Sequence, residues 1–384
     1  RGDPLEIGYA HERLGILKAS LGELSACLAH MRTALTIYEQ SEFVSLMVRI
    51  CGNMGAAYIS KGDLDSARTY LHRSLELTER AGNLPHMGFV LTNLGDTAYR
   101  SGDLLEAEAR FRHGLSILEH NSSREAQAWA LVDLAGAQQD MGTLSEAKAS
   151  LLNALTIGRA IKSSRCNRYA LIRLAEIRVA EAQLAFPWPA LDDACPDQPS
   201  PYYQRLLLRT KFTLQRAISL DGLEIEPLVE GKRLLATVYF LQHDLLAAQQ
   251  LALQVLQQAQ SQEVTRSIGR AYVLLGNIMA VRKDYHEADR YFEQAIQLFR
   301  ERKYKLEYAR VLYSYGLTLV QRARLSRRKC PEILLSADQQ EADTFYGLSS
   351  LYEAQAIFTA SHASLDLQQV EQLLARVGVQ NATL

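Results

Sequence analysis

Net charge is nearly missing from this chain. Its 384 residues carry 42 Lys and Arg against 43 Asp and Glu, a formal net charge of -1. Such a balance offers no long-range attraction to nucleic acid or to an anionic bilayer, so neither is expected as a direct partner. Cysteine is scarce and odd in number. Cys27, Cys51, Cys166, Cys195 and Cys330 lie far apart with no CxxC pair, which argues against a disulfide framework and for unpaired thiols in a reducing, cytoplasmic compartment. No uninterrupted apolar run reaches the ~20 residues that span a bilayer, and the opening residues do not read as a signal peptide. The first residue is Arg1 rather than Met, which suggests a segment of a longer protein.

Catalytic and metal motifs are missing as well. His11-Glu12 lacks the second His of a metalloprotease helix, because Gly15 occupies that position. Neither a glycine-rich phosphate loop nor a nucleophile elbow occurs, and the nine histidines are scattered with no Cys at ligand spacing. The chain is therefore expected to be non-catalytic and to need no cofactor or metal. A site assembled from distant segments is the remote alternative. Proline is the last scarce residue, and five of the nine fall within Phe186–Pro201. Helix cannot run through that stretch, whereas most of the remaining chain is free of breakers.

What the sequence does hold is a beat. Small residues recur at Gly15, Gly55, Gly95, Ala135, Ala175, Ala236, Gly276 and Gly316, in steps of 40, 40, 40, 40, 61, 40 and 40. The long step is 40 plus an insertion of 21, which brackets the Pro-rich stretch. A large apolar residue usually precedes the mark, as in Leu94-Gly95 and Leu275-Gly276, and a second small residue follows twelve positions on, at Cys27, Ala67, Ala107, Ala147, Ala248 and Ala288. Small residues at such intervals let two helices approach closely while a neighbouring Leu or Phe fills the flank. Between the two marks lie turns such as Ser101-Gly102-Asp103. Asp103 with Glu106, Thr143 with Glu146 and Asp284 with Glu287 have the spacing of capping boxes.

On these residues the chain resembles the tetratricopeptide repeat. Leu275-Gly276, Ala288, Phe292 and Ala295 carry the signature best, and Tyr58 supplies its first aromatic in the second repeat. Ala98, Gln138 and Met279 depart from it at that aromatic, and Ser74 and Gly114 at the last Ala. The family period is 34 residues and the present one is 40, so each helix should be longer by about three residues, or roughly 4.5 Å. The longer form resembles the sensor and scaffold regions of bacterial multidomain signalling regulators. The resemblance implies an all-α, right-handed superhelical solenoid of about eight helix hairpins. These are expected near residues 5–38, 44–80, 84–120, 124–160, 166–220 with an insert at 186–201, 226–260, 264–300 and 306–360. A capping helix at 366–377 and a tail at 378–384 complete the chain. Arg324 to Lys329 reads as a basic loop before the last long helix.

The same resemblance implies that first helices line a concave groove. Six residues before each mark stand Tyr9, Arg49, Phe89, Trp129 and Tyr169, which either form a ladder into that groove or pack against the preceding repeat. Asn53, Asn93 and Asp133 lie two residues before their marks, and Asp96 and Arg100 extend the same face. From the sixth repeat onward the corresponding positions turn charged, at Glu230, Arg233, Arg270 and Arg310. These ten residues of the first five repeats are the candidate partner-binding set. The expected function is a protein- or peptide-binding scaffold, or the sensor region of a larger bacterial signalling or transcription regulator. A receptor for a short signalling peptide or a small-molecule inducer is the alternative. Trp188, held between two prolines, is read either as part of a loose loop or as an apolar anchor.

Overall fold

The structure is a computed structural model, and it describes residues 3–120, 123–185, 200–221, 225–328, 333 and 335–381. The Pro-rich stretch with Trp188, apart from its last two residues, lies outside them. Among the described residues there are helices and no strands. In order they are α1 (Pro4–Ser20), α2 (Leu24–Gln40), α3 (Val44–Lys61), α4 (Leu64–Ala81), α5 (Leu84–Ser101), α6 (Leu104–His120), α7 (Arg124–Asp140) and α8 (Leu144–Ala160). Then follow α9 (Ser164–Ala185), α10 (Pro201–Ile218), α11 (Ile225–Leu241), α12 (Leu245–Ser261), α13 (Thr265–Val281), α14 (Tyr285–Glu301), α15 (Lys305–Arg327), α16 (Ala337–Ala360) and α17 (Ser364–Asn381). Each odd-numbered helix up to α15 packs antiparallel against the next, and each hairpin stacks on its neighbour to form an all-α solenoid.

The beat of small residues marks where paired helices cross. A Cβ built on Gly95 would lie 2.6 Å from Cδ1 of Phe111, and one on Gly276 would lie 2.9 Å from the Phe292 ring. Phe111 and Phe292 sit sixteen residues after their glycines and are fully buried. The glycine thus leaves the hollow that the ring fills, and each ring contributes about 1.5–3 kcal/mol of burial. The turns and caps are supplied locally. Asp63, Asp103, Asp244 and Asp284 each accept the backbone N–H three residues on. At Thr143 the expected box is not formed, since its hydroxyl donates instead to the Gln138 carbonyl. A complete box forms at Ser336 and Gln339.

Two stretches differ from the sequence reading. Arg324 to Arg327 is the last turn of α15 and not a loop, because Ala323 and Ser326 bury one face and carry the helix on. The final helix, α17, spans Ser364–Asn381 and so takes in the start of the expected tail. In repeat five the buried Arg168 donates to the carbonyls of Ala217 and Leu220, which fixes the end of α10 against α9 across the inserted segment.

The superhelix turns tightly enough to meet itself. The turns that follow α1, α3, α5 and α7 abut the starts of helices more than 200 residues further along. A Cβ on Gly62 would lie 3.0 Å from the Tyr304 hydroxyl and 3.2 Å from Thr265, and one on Gly102 would lie 3.1 Å from Lys305. Thr265 donates to the Lys61 carbonyl (3.0 Å), Ser25 to Glu263 (3.1 Å) and Lys303 to Asp65 (2.6 Å) along this seam. Gly22, Gly62, Gly102 and Gly142 all have φ between 77° and 86°. The equivalent left-handed positions in the sixth and seventh repeats are the exposed His243 and Lys283. Backbone geometry alone therefore tolerates a side chain there. At Gly62 and Gly102 the far wall is pressed close enough to require glycine, whereas Gly142 makes only ordinary contact with Ser364, 3.5 Å away.

Candidate functional site

Meeting itself along the seam, the solenoid surrounds an interior lined by odd-numbered helices. That interior is divided into two compartments. The first, about 230 Å³, lies between α3, α5, α7, α9, α11 and α13; the second, about 270 Å³, is lined by α7, α9, α11, α13, α15 and α17. Glu176 and Arg270 belong to both walls, and Arg270 donates to Glu176 at 3.1 Å, so this ion pair is the partition.

Arg270 is the hub of the interior charges. Besides Glu176 it donates to Glu230 (2.6 Å) and to Glu307 (2.7 Å). Arg266 also reaches Glu307, Arg233 reaches Glu230 and Arg173 reaches Glu176. Arg310 pairs with Asp140 (2.8 Å) and with Asp366 (2.7 Å), which ties the fourth repeat to α17 across the seam. These side chains are 8–17% exposed around Arg270. Burial opposes ionisation of Glu176, but Arg173 and Arg270 outweigh it and hold the carboxyl down at about 2. Burial likewise opposes ionisation of Glu307 and Glu230, and the surrounding guanidiniums keep both well below the usual carboxylate range.

The candidate residues separate into groups. Asn93, Asp96, Arg100, Trp129, Asp133 and Tyr169 all line the first compartment. The Trp129 and Tyr169 rings meet edge to face with centroids 4.3 Å apart, and the Arg165 guanidinium lies 4.5 Å from the Trp129 ring centre. Arg100 donates to Asp96 (3.0 Å) and to Glu226 (3.3 Å), and Asn93 to the Phe89 carbonyl one helical turn back. Asp133 has no hydrogen bond or ion pair among the described residues. Burial, then the nearby Asp96, push its carboxyl up to about 7.

The other four lie outside both compartments. Tyr9 is 40% exposed and packs edge-on against Tyr38, with Arg49 over its ring; Arg49 in turn donates to the buried Glu12 at 2.6 and 2.7 Å. Phe89 packs on the core cluster of the first repeats beside His86, and Asn53 is half-buried. The aromatic positions thus do not form one continuous ladder. The superhelix brings the fourth and fifth together and leaves the first at the open end of the array.

Arg173, Glu176, Glu226, Arg266 and Glu307 were not singled out by the sequence reading, although they build the interior walls. Part of the interior's charge pattern was nonetheless legible in the register. Position −6 from the small mark reads Glu230, Arg270 and Arg310 in repeats six to eight, and positions −2 and +1 in repeat five read Arg173 and Glu176. At position −6 the change from Phe89, Trp129 and Tyr169 to charge in repeats six to eight marks an inward face, although Arg49 at the same position lies outside both compartments.

Among the described residues no helix is long and apolar enough to cross a membrane, and no group of three His, Cys, Asp or Glu could hold a metal ion. Residues 46–120 and 269–302 match two family models, each described as tetratricopeptide repeat. No curated protein matches the sequence. Among solved structures, a Rap protein complexed with competence and sporulation factor is similar over 97% of this chain and 99% of its own, with a TM-score of 0.58 at 12% identity. A signal transduction ATPase with numerous domains and a tetratricopeptide repeat sensor, from Pyrococcus horikoshii, is similar over 93% of this chain and 54% of its own, with a TM-score of 0.46 at 10% identity.

Proposed function

We propose that this array of tetratricopeptide repeats is a non-catalytic sensor whose partly open interior receives a short peptide or a small molecule. One observation carries this reading: Asn93, Asp96, Arg100, Trp129, Asp133 and Tyr169, from three successive repeats, line a single compartment. A folded protein partner needs an open groove, because a standard interface buries roughly 800 Å² on each side. Compartments of about 230 and 270 Å³ behind a seam suit something far smaller. The Rap protein of similar fold is complexed with competence and sporulation factor, which supports ligand binding by an array wound in this way. The resemblance to sensor regions supports reading the array as the input part of a larger bacterial signalling or transcription regulator. In that role, occupancy of the interior changes how firmly the seam closes, and the rest of the protein reads the change.

The test uses the two tryptophans. In a Trp188→Phe variant Trp129 is the sole tryptophan, and its emission reports on the first compartment. Short peptides and small metabolites screened by thermal shift should yield binders that also change Trp129 emission saturably, and Tyr169→Ala should weaken them at least tenfold. Binders that stabilise the protein yet leave Trp129 emission and the Tyr169→Ala affinity untouched would sink this reading.

A further inference from the structure

The first compartment is lined by five carboxylates and four guanidiniums. All four arginines are committed: Arg100 to Asp96 and Glu226, Arg173 to Glu176, Arg266 to Glu307, and Arg270 to Glu176, Glu230 and Glu307. Four of the five carboxylates are satisfied by the same bonds. The fifth, Asp133, has neither hydrogen bond nor ion pair among the described residues, and it projects from α7 one helical turn after Trp129. An anionic ligand would have to break an existing pair to find a cation. A cationic one would pair with Asp133 and leave every existing pair intact.

The walls next to Asp133 agree with this. Trp129 and Tyr169 supply ring surface, and the Trp129 ring already accepts the guanidinium of Arg165 at 4.5 Å. Aromatic rings attract cations through their quadrupole, most strongly where water is excluded. The compartment's volume of about 230 Å³ is below the roughly 300–1,000 Å³ of pockets for drug-sized ligands, so it fits one side-chain-sized group.

Resting on the reading of the interior as a ligand chamber, we propose that the first compartment selects ligands carrying an ammonium or guanidinium group, which Asp133 receives beside Trp129 and Tyr169. The occupant is a peptide with a Lys or Arg side chain, or a small organic amine. Asp133 faces Asp96 and Arg100 from α5, Arg173 from α9 and Glu226 from α11. With its carboxyl near 7, Asp133 is mostly protonated at pH 6 and mostly ionised at pH 8. A permanent cation binds the ionised form, so its affinity should rise about tenfold across that interval.

The experiment titrates the Trp188→Phe protein with Nα-acetylarginine amide, Nα-acetyllysine amide and the neutral isostere Nα-acetylcitrulline amide, read by calorimetry and Trp129 emission. The two cations should bind saturably, at least tenfold more tightly than the citrulline compound, and more tightly at pH 8 than at pH 6. Asp133→Asn should remove the discrimination, and Asp133→Glu should keep it. Equal binding of the citrulline compound, undiminished discrimination in Asp133→Asn, or no response to either cation at millimolar concentration would overturn the cation assignment. If peptides from the broader screen still shift Trp129 emission in Asp133→Asn with full affinity, the chamber stands and only the cation claim falls.

Discussion

Replacing Arg270 by Met would leave three inward-facing carboxylates around a shorter, uncharged thioether. Arg270 bonds Glu176, Glu230 and Glu307 at 3.1, 2.6 and 2.7 Å. Unit charges about 4 Å apart at an effective dielectric near 20 attract by about 4 kcal/mol, and the desolvation of four ions offsets much of the total. Each carboxylate keeps a second arginine, Arg173, Arg233 or Arg266. The expected loss is thus that of a broken buried pair, about 3–5 kcal/mol at pH 7.5. The pH dependence sharpens the test. The three carboxyls titrate below their unfolded value, so they stabilise the fold above about pH 4.5, and that stabilisation is lost as the pH falls toward their folded values. Without Arg270 those folded values rise toward 4.5. The difference between the two proteins should therefore be smaller at pH 4 than at pH 7.5, by roughly 2 kcal/mol. Urea unfolding in the Trp188→Phe background, followed by both far-ultraviolet circular dichroism and Trp129 emission, measures it, and agreement of the two probes guards against piecemeal melting of the array. A loss under about 1 kcal/mol at pH 7.5, or an equal loss at both pH values, would refute the view of Arg270 as the hub.

Three further substitutions or modifications test other parts of the structure. Gly95→Ala puts a methyl 2.6 Å from the buried Phe111 ring and should cost about 1–3 kcal/mol in urea unfolding. In a Phe111→Leu background the cost should shrink, whereas additive losses would show that the two do not share a crossing. Asp133→Asn should raise the melting temperature at pH 8 and change it little at pH 4. An ionised carboxyl raised to about 7 opposes folding by up to about 4 kcal/mol once the pH exceeds that value, and this penalty fades as the pH falls toward the unfolded value near 4. Burial pushes the Cys27 and Cys51 thiols up to about 11. Iodoacetamide at pH 8 should alkylate them only as fast as the first two repeats open, and fast labelling in the native protein, read by peptide mass spectrometry, would contradict that burial.

Much of the fold was legible because its causes are local. The Leu94-Gly95 step, the Asp103 cap and Phe111 lie within one 40-residue window, and that window suffices to define a hairpin. Capping boxes were harder to read, since spacing alone did not show that Thr143 would turn its hydroxyl back to Gln138. The Arg324–Arg327 stretch was misjudged for a similar reason. Its basic composition suggested a loop, while Ala323 and Ser326 kept a buried face that composition did not reveal.

The candidate site was only partly legible. Trp129, Asp133 and Tyr169 follow from the register of first helices, but nothing in that register separates them from Tyr9 or Asn53. What separates them is the passage of α11 and α13 over the third to fifth repeats, which puts Glu226 beside Arg100 and Arg270 beside Glu176.

By itself, then, the amino-acid order determined that this protein consists of paired helices, where they cross and how many pairs there are, because those outcomes depend on contacts between residues about sixteen positions apart. Only the tertiary structure decided that Gly62 would press on Thr265 and that Arg310 would join Asp140 to Asp366. Closure of that kind depends on a small rotation added at every hairpin, and no single window of sequence contains the sum.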